Sequence, residues 1–184
     1  MHVKAKIVAG MCGIYLMTVG CTPDTKPTNA KLEKAINAHF EGRNECIFPA
    51  GIKFPYEVTP GSDEKKSKKE MEAMKAAGLV KEQGAAAIHA EVYTLSPLGQ
   101  RVAPRFCYGH RVVKTVDSFT PPLKQANGFV ETTVSYHYSM MDVPVWVKID
   151  EMKAAFPAMA KAISDDASDQ IVLATVGAGW QVPE

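Results

Sequence analysis

The sequence predicts an α+β fold, a small single domain of about three helices and a mainly antiparallel sheet. Three segments repeat apolar residues with helical spacing. Four to six short segments have strand composition, and the clearest, residues 129–138, alternates apolar or aromatic with polar residues. Runs of strands separated from helices favour α+β over a parallel βαβ arrangement.

The first half of the chain contains two of the predicted helices, residues 30–41 and 63–77. Asn29 is expected to cap the first helix, because a short polar side chain there can accept a backbone N–H. Residues 43–60 are rich in Pro, Gly and aromatic residues, which predicts an irregular segment. The second helix starts with the charged run DEKKSKKE, which favours a solvent-exposed face over a docking patch, and it ends at Gly78.

The middle of the chain is predicted to form most of the sheet. A strand over residues 85–94 is followed by a turn over residues 95–99. Strands over residues 106–116 and 129–138 are expected to pair as antiparallel neighbours. Asn127-Gly128, just before the second of these strands, is a strong turn signal.

The C-terminal part is expected to contain an edge segment, a third helix and two short strands. These lie at residues 144–147, at residues 150–163, at residues 171–176 and around Trp180. Pro157 lies inside the third helix, and we expect it to bend or divide that helix. Gly177-Ala178-Gly179 reads as a bend between strands, since no helix follows it to hold a phosphate.

Residues 1–20 have the three parts of an export signal. Lys4 and Lys6 give a positive start, an apolar run follows from Ile7 to Val19, and small residues precede Cys21. The run is 13 residues long, whereas a membrane-spanning helix needs about 20. The segment therefore predicts cleavage and export rather than a permanent membrane span.

The end of this segment, LMTVGC, resembles the lipobox of bacterial lipoprotein precursors. Val19 and Gly20 match the small residues of that motif, while Thr18 stands where leucine is usual. The resemblance implies that Cys21 receives a diacylglycerol and becomes an acylated amino terminus, so that membrane lipid is a partner. An ordinary secretory signal is the alternative.

The domain organisation follows from this cleavage site. Residues 21–29 read as the lipidated cysteine and a flexible, proline-bearing tether, and residues 30–184 as one globular domain. By the same family analogy, Thr22 favours the outer membrane, facing the periplasm, over the inner membrane. The sequence thus predicts a lipid-anchored protein of the cell envelope.

Charge and cysteine content narrow the classes of binding partner and of site that the sequence supports. The full chain has 21 basic and 20 acidic residues, so it lacks the basic excess typical of nucleic-acid binders. Cys46 and Cys107 remain in the mature domain with Cys21. Because an exported compartment permits disulfides, we expect Cys46 and Cys107 to pair. The absence of a CxxC motif makes a metal or redox site the less favoured interpretation.

Residues 71–102 are similar to the helix-and-wing part of winged-helix domains. In that pattern a helix ends in a small residue followed by Gly-Leu, and a hairpin carries an aromatic-Thr-Leu-x-x-x-Gly sequence. The matching residues are Ala77, Gly78, Leu79, Tyr93, Thr94, Leu95 and Gly99. The resemblance implies a local shape, and a DNA-binding regulator is the functional hypothesis that it adds.

No catalytic motif of the usual kinds occurs in the sequence, and no cofactor or metal is predicted. Two strand histidines on one sheet face could bind a metal, but a histidine without a ligand role is favoured; those expected on strands are His89, His110 and His137. Cys107 and His110 are spaced so that their side chains diverge, which argues against a nucleophile pair.

Exposed tyrosines would be the natural contact residues of a binding domain. Tyr93 and Tyr108 are the candidate interaction surface, while core placement is favoured for Tyr136 and Tyr138. The leading hypothesis is a non-enzymatic, lipid-anchored envelope protein whose domain binds another envelope component. A periplasmic hydrolase or ligand-binding enzyme with an unrecognised site is the alternative.

Overall fold

The computed structural model describes residues 26–61, 63–85, 90–176 and 179–183. The helices are α1 (Asn29–Phe40), α2 (Glu64–Ala76), α3 (Pro97–Val102), α4 (Asp150–Ala155) and α5 (Pro157–Ala162), with a 3-10 turn at Val145–Lys148. The strands are β1 (Glu45–Cys46), β2 (Tyr56–Val58), β3 (Val80–Ala85), β4 (Ala90–Leu95), β5 (Cys107–Phe119), β6 (Leu123–Lys124), β7 (Val130–Met141), β8 (Ser168–Val176) and β9 (Gly179–Gln181).

All strand pairs are antiparallel, and they form two sheets. The larger sheet has the order β1-β5-β7-β8-β9, with β6 also paired to β7; the smaller has the order β2-β4-β3. β5 and β7 pair from His110–Met141 to Phe119–Val134, with irregularities after Val113 and Val116. Both the predicted α+β class and the predicted pairing of these two strands are confirmed.

Helix α1 packs across one face of the larger sheet. Leu32, Ala35 and Ile36 are its buried residues, and they lie in one core cluster with Val134 and Tyr136 of β7. The alternation along β7 puts every second side chain into this core, which is why a period of two predicted the strand. The helix cap differs from the prediction: Thr28, one residue earlier than Asn29, accepts the N–H of Lys31.

A second core cluster lies between α2, the smaller sheet and the C-terminal helices. Met71 and Met74 of α2 meet Tyr93, Trp146 and Met152 there. Residue Met140 of β7 packs against both clusters, so the two cores are continuous.

Three local predictions need correction in this second half of the fold. The predicted strand 85–94 coincides with β4 over residues 90–94, but residue 85 is the end of a separate antiparallel strand, β3, and residues 86–89 are outside the described part of the chain. The predicted turn 95–99 is the start of α3, because Ser96 caps that helix. The predicted edge segment 144–147 coils into the 3-10 turn after Pro144, although Trp146 is buried as expected.

The third predicted helix is divided as expected. α4 ends at Ala155, and Pro157 begins α5, because proline has no N–H for the helix ladder and suits a first helical position. The Asn127-Gly128 turn is also present: the Gly128 N–H donates to the carbonyl of Gln125 at 2.9 Å, and Gly128 has a φ of +88°.

Ser96 and Gly99 fix α3 onto the hairpin. The Ser96 hydroxyl accepts the Gly99 N–H at 3.0 Å and donates to the Gly78 carbonyl at 2.6 Å. A Cβ on Gly99 would overlap the carbonyl oxygen of Leu79, so only glycine permits this approach. The segment 71–102 is thus a helix, a hairpin and a short helix, while its functional resemblance to winged-helix domains stays a prediction.

Within the described residues, no strand pairs with the outer edge of β5 along most of its length. β1 pairs with it only at Cys107 and Gly109. Further along, side chains of α1 occupy the edge: Asn37 Oδ1 accepts the Val113 N–H at 2.9 Å, and Asn29 Nδ2 donates to the Val116 carbonyl at 3.3 Å. These two asparagines provide hydrogen-bond partners for backbone groups of β5 that a neighbouring strand would otherwise pair with.

These contacts also fix the direction of α1. The helix begins beside Val116, passes Val113 at Asn37, and ends with Phe40 under the guanidinium of Arg111. The N-terminus of α1 and the segment 120–129, which joins β5 to β7, therefore lie at the same end of the sheet. We call these two parts the tether end.

Candidate functional site

Arg111 of β5 is the centre of a cluster of polar and aromatic side chains. Its Nε donates to Glu45 of β1, and its Nη1 donates to Asp169 of β8 at 2.6 Å and to the Tyr136 hydroxyl at 3.3 Å. The guanidinium carbon lies 4.3 Å from the ring centre of Tyr138. One side chain thus joins β5 to three other strands of the larger sheet, β1, β7 and β8.

The charges of this cluster are mutually stabilised. Burial alone would lower the pKa of Arg111, but the hydrogen bonds to Glu45 and Asp169 outweigh it and raise that pKa. For Asp169 burial acts to raise the pKa, and the hydrogen bonds from Arg111 and from the Gln170 N–H outweigh it and lower that pKa. Arg111 thus has two carboxylate partners within the fold, Glu45 and Asp169, so its charge is already compensated by the protein itself.

The disulfide lies directly beside this cluster. The Sγ atoms of Cys46 and Cys107 are at bonding distance, so the predicted pairing is present. Glu45, the neighbour of Cys46 in β1, is a partner of Arg111. The covalent bond therefore holds the two-residue strand β1, and with it Glu45, against β5.

Tyr93 and Tyr108 do not form a surface. Tyr93 has an exposed fraction of 0% and Tyr108 of 6%. Each hydroxyl donates to a carboxylate, Tyr93 to Glu72 at 2.8 Å and Tyr108 to Glu45 at 3.1 Å. Burial, together with these carboxylates, raises the pKa of both phenols. This corrects the interpretation of the two tyrosines as a candidate interaction surface.

Tyr136 and Tyr138 are in the core, as favoured from the sequence. Their exposed fractions are 1% and 3%, and their ring centres are 5.9 Å apart. The Tyr136 hydroxyl accepts from Arg111. These rings therefore support the Arg111 cluster and are not available to a partner.

Two histidines of the larger sheet each lie beside an aspartate. His137 Nδ1 is 2.7 Å from Asp117 Oδ2, and Asp117 Oδ1 also accepts from the Thr115 hydroxyl at 3.1 Å. The hydrogen bond with His137 lowers the pKa of Asp117. His110 Nδ1 lies 3.3 Å from Asp142 Oδ2. His89, the third strand candidate, is outside the described residues.

A polar pocket of about 430 Å³ adjoins the Asp117–His137 pair. Ser135, Lys161 and Gln170 also line it, and Gln170 Nε2 donates to Ser135 at 3.1 Å. An aspartate on Nδ1 leaves Nε2 of the imidazole to accept or give a proton, which is the arrangement of a general base. Sequence reasoning missed this pair because the partners come from different strands, twenty residues apart.

Two larger depressions lie elsewhere on the domain. A groove of about 640 Å³ follows α1 beside His110 and Val112 of the β5 edge. A cavity of about 680 Å³ is lined by apolar and charged residues. They include Met140, Val143, Ile163, Lys148, Lys153 and Asp165.

Within the described ranges, no three His, Cys, Asp or Glu side chains are grouped so that they could hold a metal ion. None of the helices in those ranges combines the length and the apolar character needed to span a bilayer. Cys21 and the rest of residues 1–25, on which the export and lipidation predictions fall, are outside the described residues.

Comparison with known proteins adds no family. No protein-family model matches the chain, and no curated protein or solved structure is significantly similar to it.

Proposed function

We propose that this chain is a lipid-anchored protein of the bacterial cell envelope whose domain binds another envelope component without catalysing a reaction. The observation that supports it best is the Cys46–Cys107 disulfide. Disulfides persist in exported compartments and are rare in the cytosol. This argument is independent of the lipobox-like residues before Cys21, which point to the same compartment.

The proposed anchor is the acylated Cys21. One acyl chain gives only marginal membrane binding, whereas two or three chains give a lasting anchor. With Thr22 next to it, the proposed location is the outer membrane, with the domain facing the periplasm.

Metabolic labelling with palmitate tests the anchor. We expect the wild-type chain to incorporate label and to sediment with membranes, and Cys21→Ala to do neither. Cys12→Ala is the matched control, because Cys12 lies in the segment that cleavage removes, and it should keep the label. An unlabelled wild-type chain would refute the anchor.

The Asp117–His137 pair favours one second candidate, a hydrolytic enzyme. Here His137 would act as a general base in the polar pocket that Ser135 and Lys161 also line. Assays on ester, amide and phosphate substrates should then show activity that His137→Gln abolishes and that His110→Gln, at the other histidine–aspartate pair, leaves unchanged. Equal activity of wild type and His137→Gln would dismiss this candidate.

A further inference from the structure

We propose that the tether end of the domain makes a second contact with the bilayer that holds the acyl anchor, through Leu123 and Phe129. This proposal rests on the proposed lipidation of Cys21. It concerns how the domain sits on the membrane, which the anchor alone does not determine.

The first observation is the place where the tether joins the domain. α1 begins at Asn29, whose side-chain amide donates a hydrogen bond to the carbonyl of Val116. Val116 lies near the end of β5 that leads into segment 120–129. The eight residue steps from Cys21 to Asn29 reach at most about 29 Å when fully extended. This end of the domain is therefore held close to the lipid surface.

The second observation is the composition of that end. Leu123 is 64% exposed and Phe129 is 43% exposed. Register places Leu123 opposite Glu131 and Lys124 opposite Val130, so β6 lies against the first residues of β7. Exposed apolar side chains next to a lysine suit a bilayer interface, where the rings and chains enter the headgroup region and the ammonium meets phosphates.

The loop that carries Phe129 is held in place by hydrogen bonds. The Phe129 N–H donates to Asn127 Oδ1 at 3.0 Å, and its carbonyl accepts the Gln125 N–H at 2.8 Å. Because the loop is ordered by its own contacts, placing Phe129 in the interface needs no rearrangement of the sheet.

Single exposed apolar residues are ordinary on protein surfaces, so the position of these two relative to the tether is what matters. Val145 provides the comparison. It is 79% exposed and follows the other end of β7. A strand of 12 residues separates the two ends by about 37 Å.

Site-specific quenching in vesicles tests the proposal on the full chain. Phe129→Cys and Val145→Cys would each carry a fluorophore, since Cys21 is blocked by lipid and Cys46 is paired with Cys107. The protein is reconstituted into phosphatidylethanolamine–phosphatidylglycerol vesicles that contain a headgroup nitroxide lipid. We expect the label at position 129 to lose most of its emission and the label at position 145 to keep it.

Leu123→Ser in the Phe129→Cys background should reduce the quenching, and the Cys46–Cys107 disulfide, checked on a non-reducing gel, reports that the variants are folded. Vesicle flotation separates the two possible failures. Protein that floats with neither label quenched, or with both quenched equally, overturns the membrane contact and leaves the anchor intact. Wild-type protein that does not float overturns the anchor and this proposal with it.

Discussion

Arg111 shows how one guanidinium can organise a small sheet. Its N–H groups donate to Glu45, Asp169 and Tyr136. The guanidinium carbon also lies 4.3 Å from the ring centre of Tyr138 and 5.1 Å from that of Phe40. The side chain is only 16% exposed. A lysine could not replace it, because an ammonium has neither the planar face for stacking nor the forked donors.

Removing this guanidinium should be strongly destabilising. Arg111→Ala leaves Glu45 partly buried without its cation, so we expect the free energy of unfolding to fall by about 3 kcal/mol. Urea denaturation followed by tryptophan fluorescence measures this, and Arg101→Ala, on an exposed position of α3, is the control. A loss no greater than that of the control would show that the cluster does not stabilise the fold.

Ionisation of Asp169 should make the stability of the fold depend on pH. Its pKa is lowered in the folded protein, so its ionised form stabilises the fold above the ordinary aspartate pKa of about 4. That contribution is lost as the pH falls through the lowered pKa. Asp169 is half exposed, so solvent screening keeps the effect near 1 kcal/mol.

We therefore expect Asp169→Asn to be less stable than wild type from pH 5 to pH 8, with the gap closing below about pH 4. Urea midpoints at several pH values measure it, with Asp166→Asn in the exposed turn before β8 as the reference. A gap that persists unchanged at pH 2 would mean that the charge of Asp169 is irrelevant.

At the scale of elements, α1 both covers the sheet and satisfies the open edge of β5. Asn37→Ala would leave the Val113 N–H without its acceptor and cost about 1 to 2 kcal/mol. It would also expose a strand edge to other copies. We expect lower stability and concentration-dependent association in light scattering, with Asn37→Asp, which keeps an acceptor oxygen, staying near wild type. Monodisperse, fully stable Asn37→Ala would contradict this role of the helix.

Elements with a strong local signal were predictable, and those decided by tertiary contact were not. The alternation around Val134 is a property of its own segment, and it predicted β7. Pro157 lacks a backbone N–H, which is also a local property, and it predicted the break between α4 and α5. α3 was missed because its six residues include Gly99, whose presence is explained only by the nearby Leu79 carbonyl. Most of the short strand β3 lies between the predicted helix 63–77 and the predicted strand 85–94, in residues for which the sequence pattern predicted no element.

At the scale of the whole molecule, the disulfide joins the first strand of the larger sheet to β5 across 61 residues. Its loss should lower the free energy of unfolding by about 4 kcal/mol, mainly by enlarging the unfolded ensemble. Cys46→Ser, Cys107→Ser and the double variant should be equally destabilised in denaturant melts. Thermal melts unaffected by reductant would argue against the bond in the native protein.

The cysteine pair could be predicted because Cys46 and Cys107 were the two cysteines left after the expected cleavage besides Cys21, which was assigned to the lipid. The Arg111 cluster could not, because Glu45 and Asp169 lie 66 and 58 residues away in sequence and meet Arg111 only in the folded sheet. The same holds for His137, whose aspartate belongs to the neighbouring strand. Ion pairs that form between different strands depend on how the strands are aligned, so the spacing of residues along the sequence does not reveal them.

The asparagine-covered edge of β5 has a consequence for crowding. Molecules confined to a surface meet their own copies far more often than molecules free in three dimensions. An unpaired strand edge would therefore have frequent chances to pair with the edge of another copy. Asn29 and Asn37 occupy that edge, so copies of the chain on the membrane of the proposed lipid anchor would not pair their β5 strands into a shared sheet.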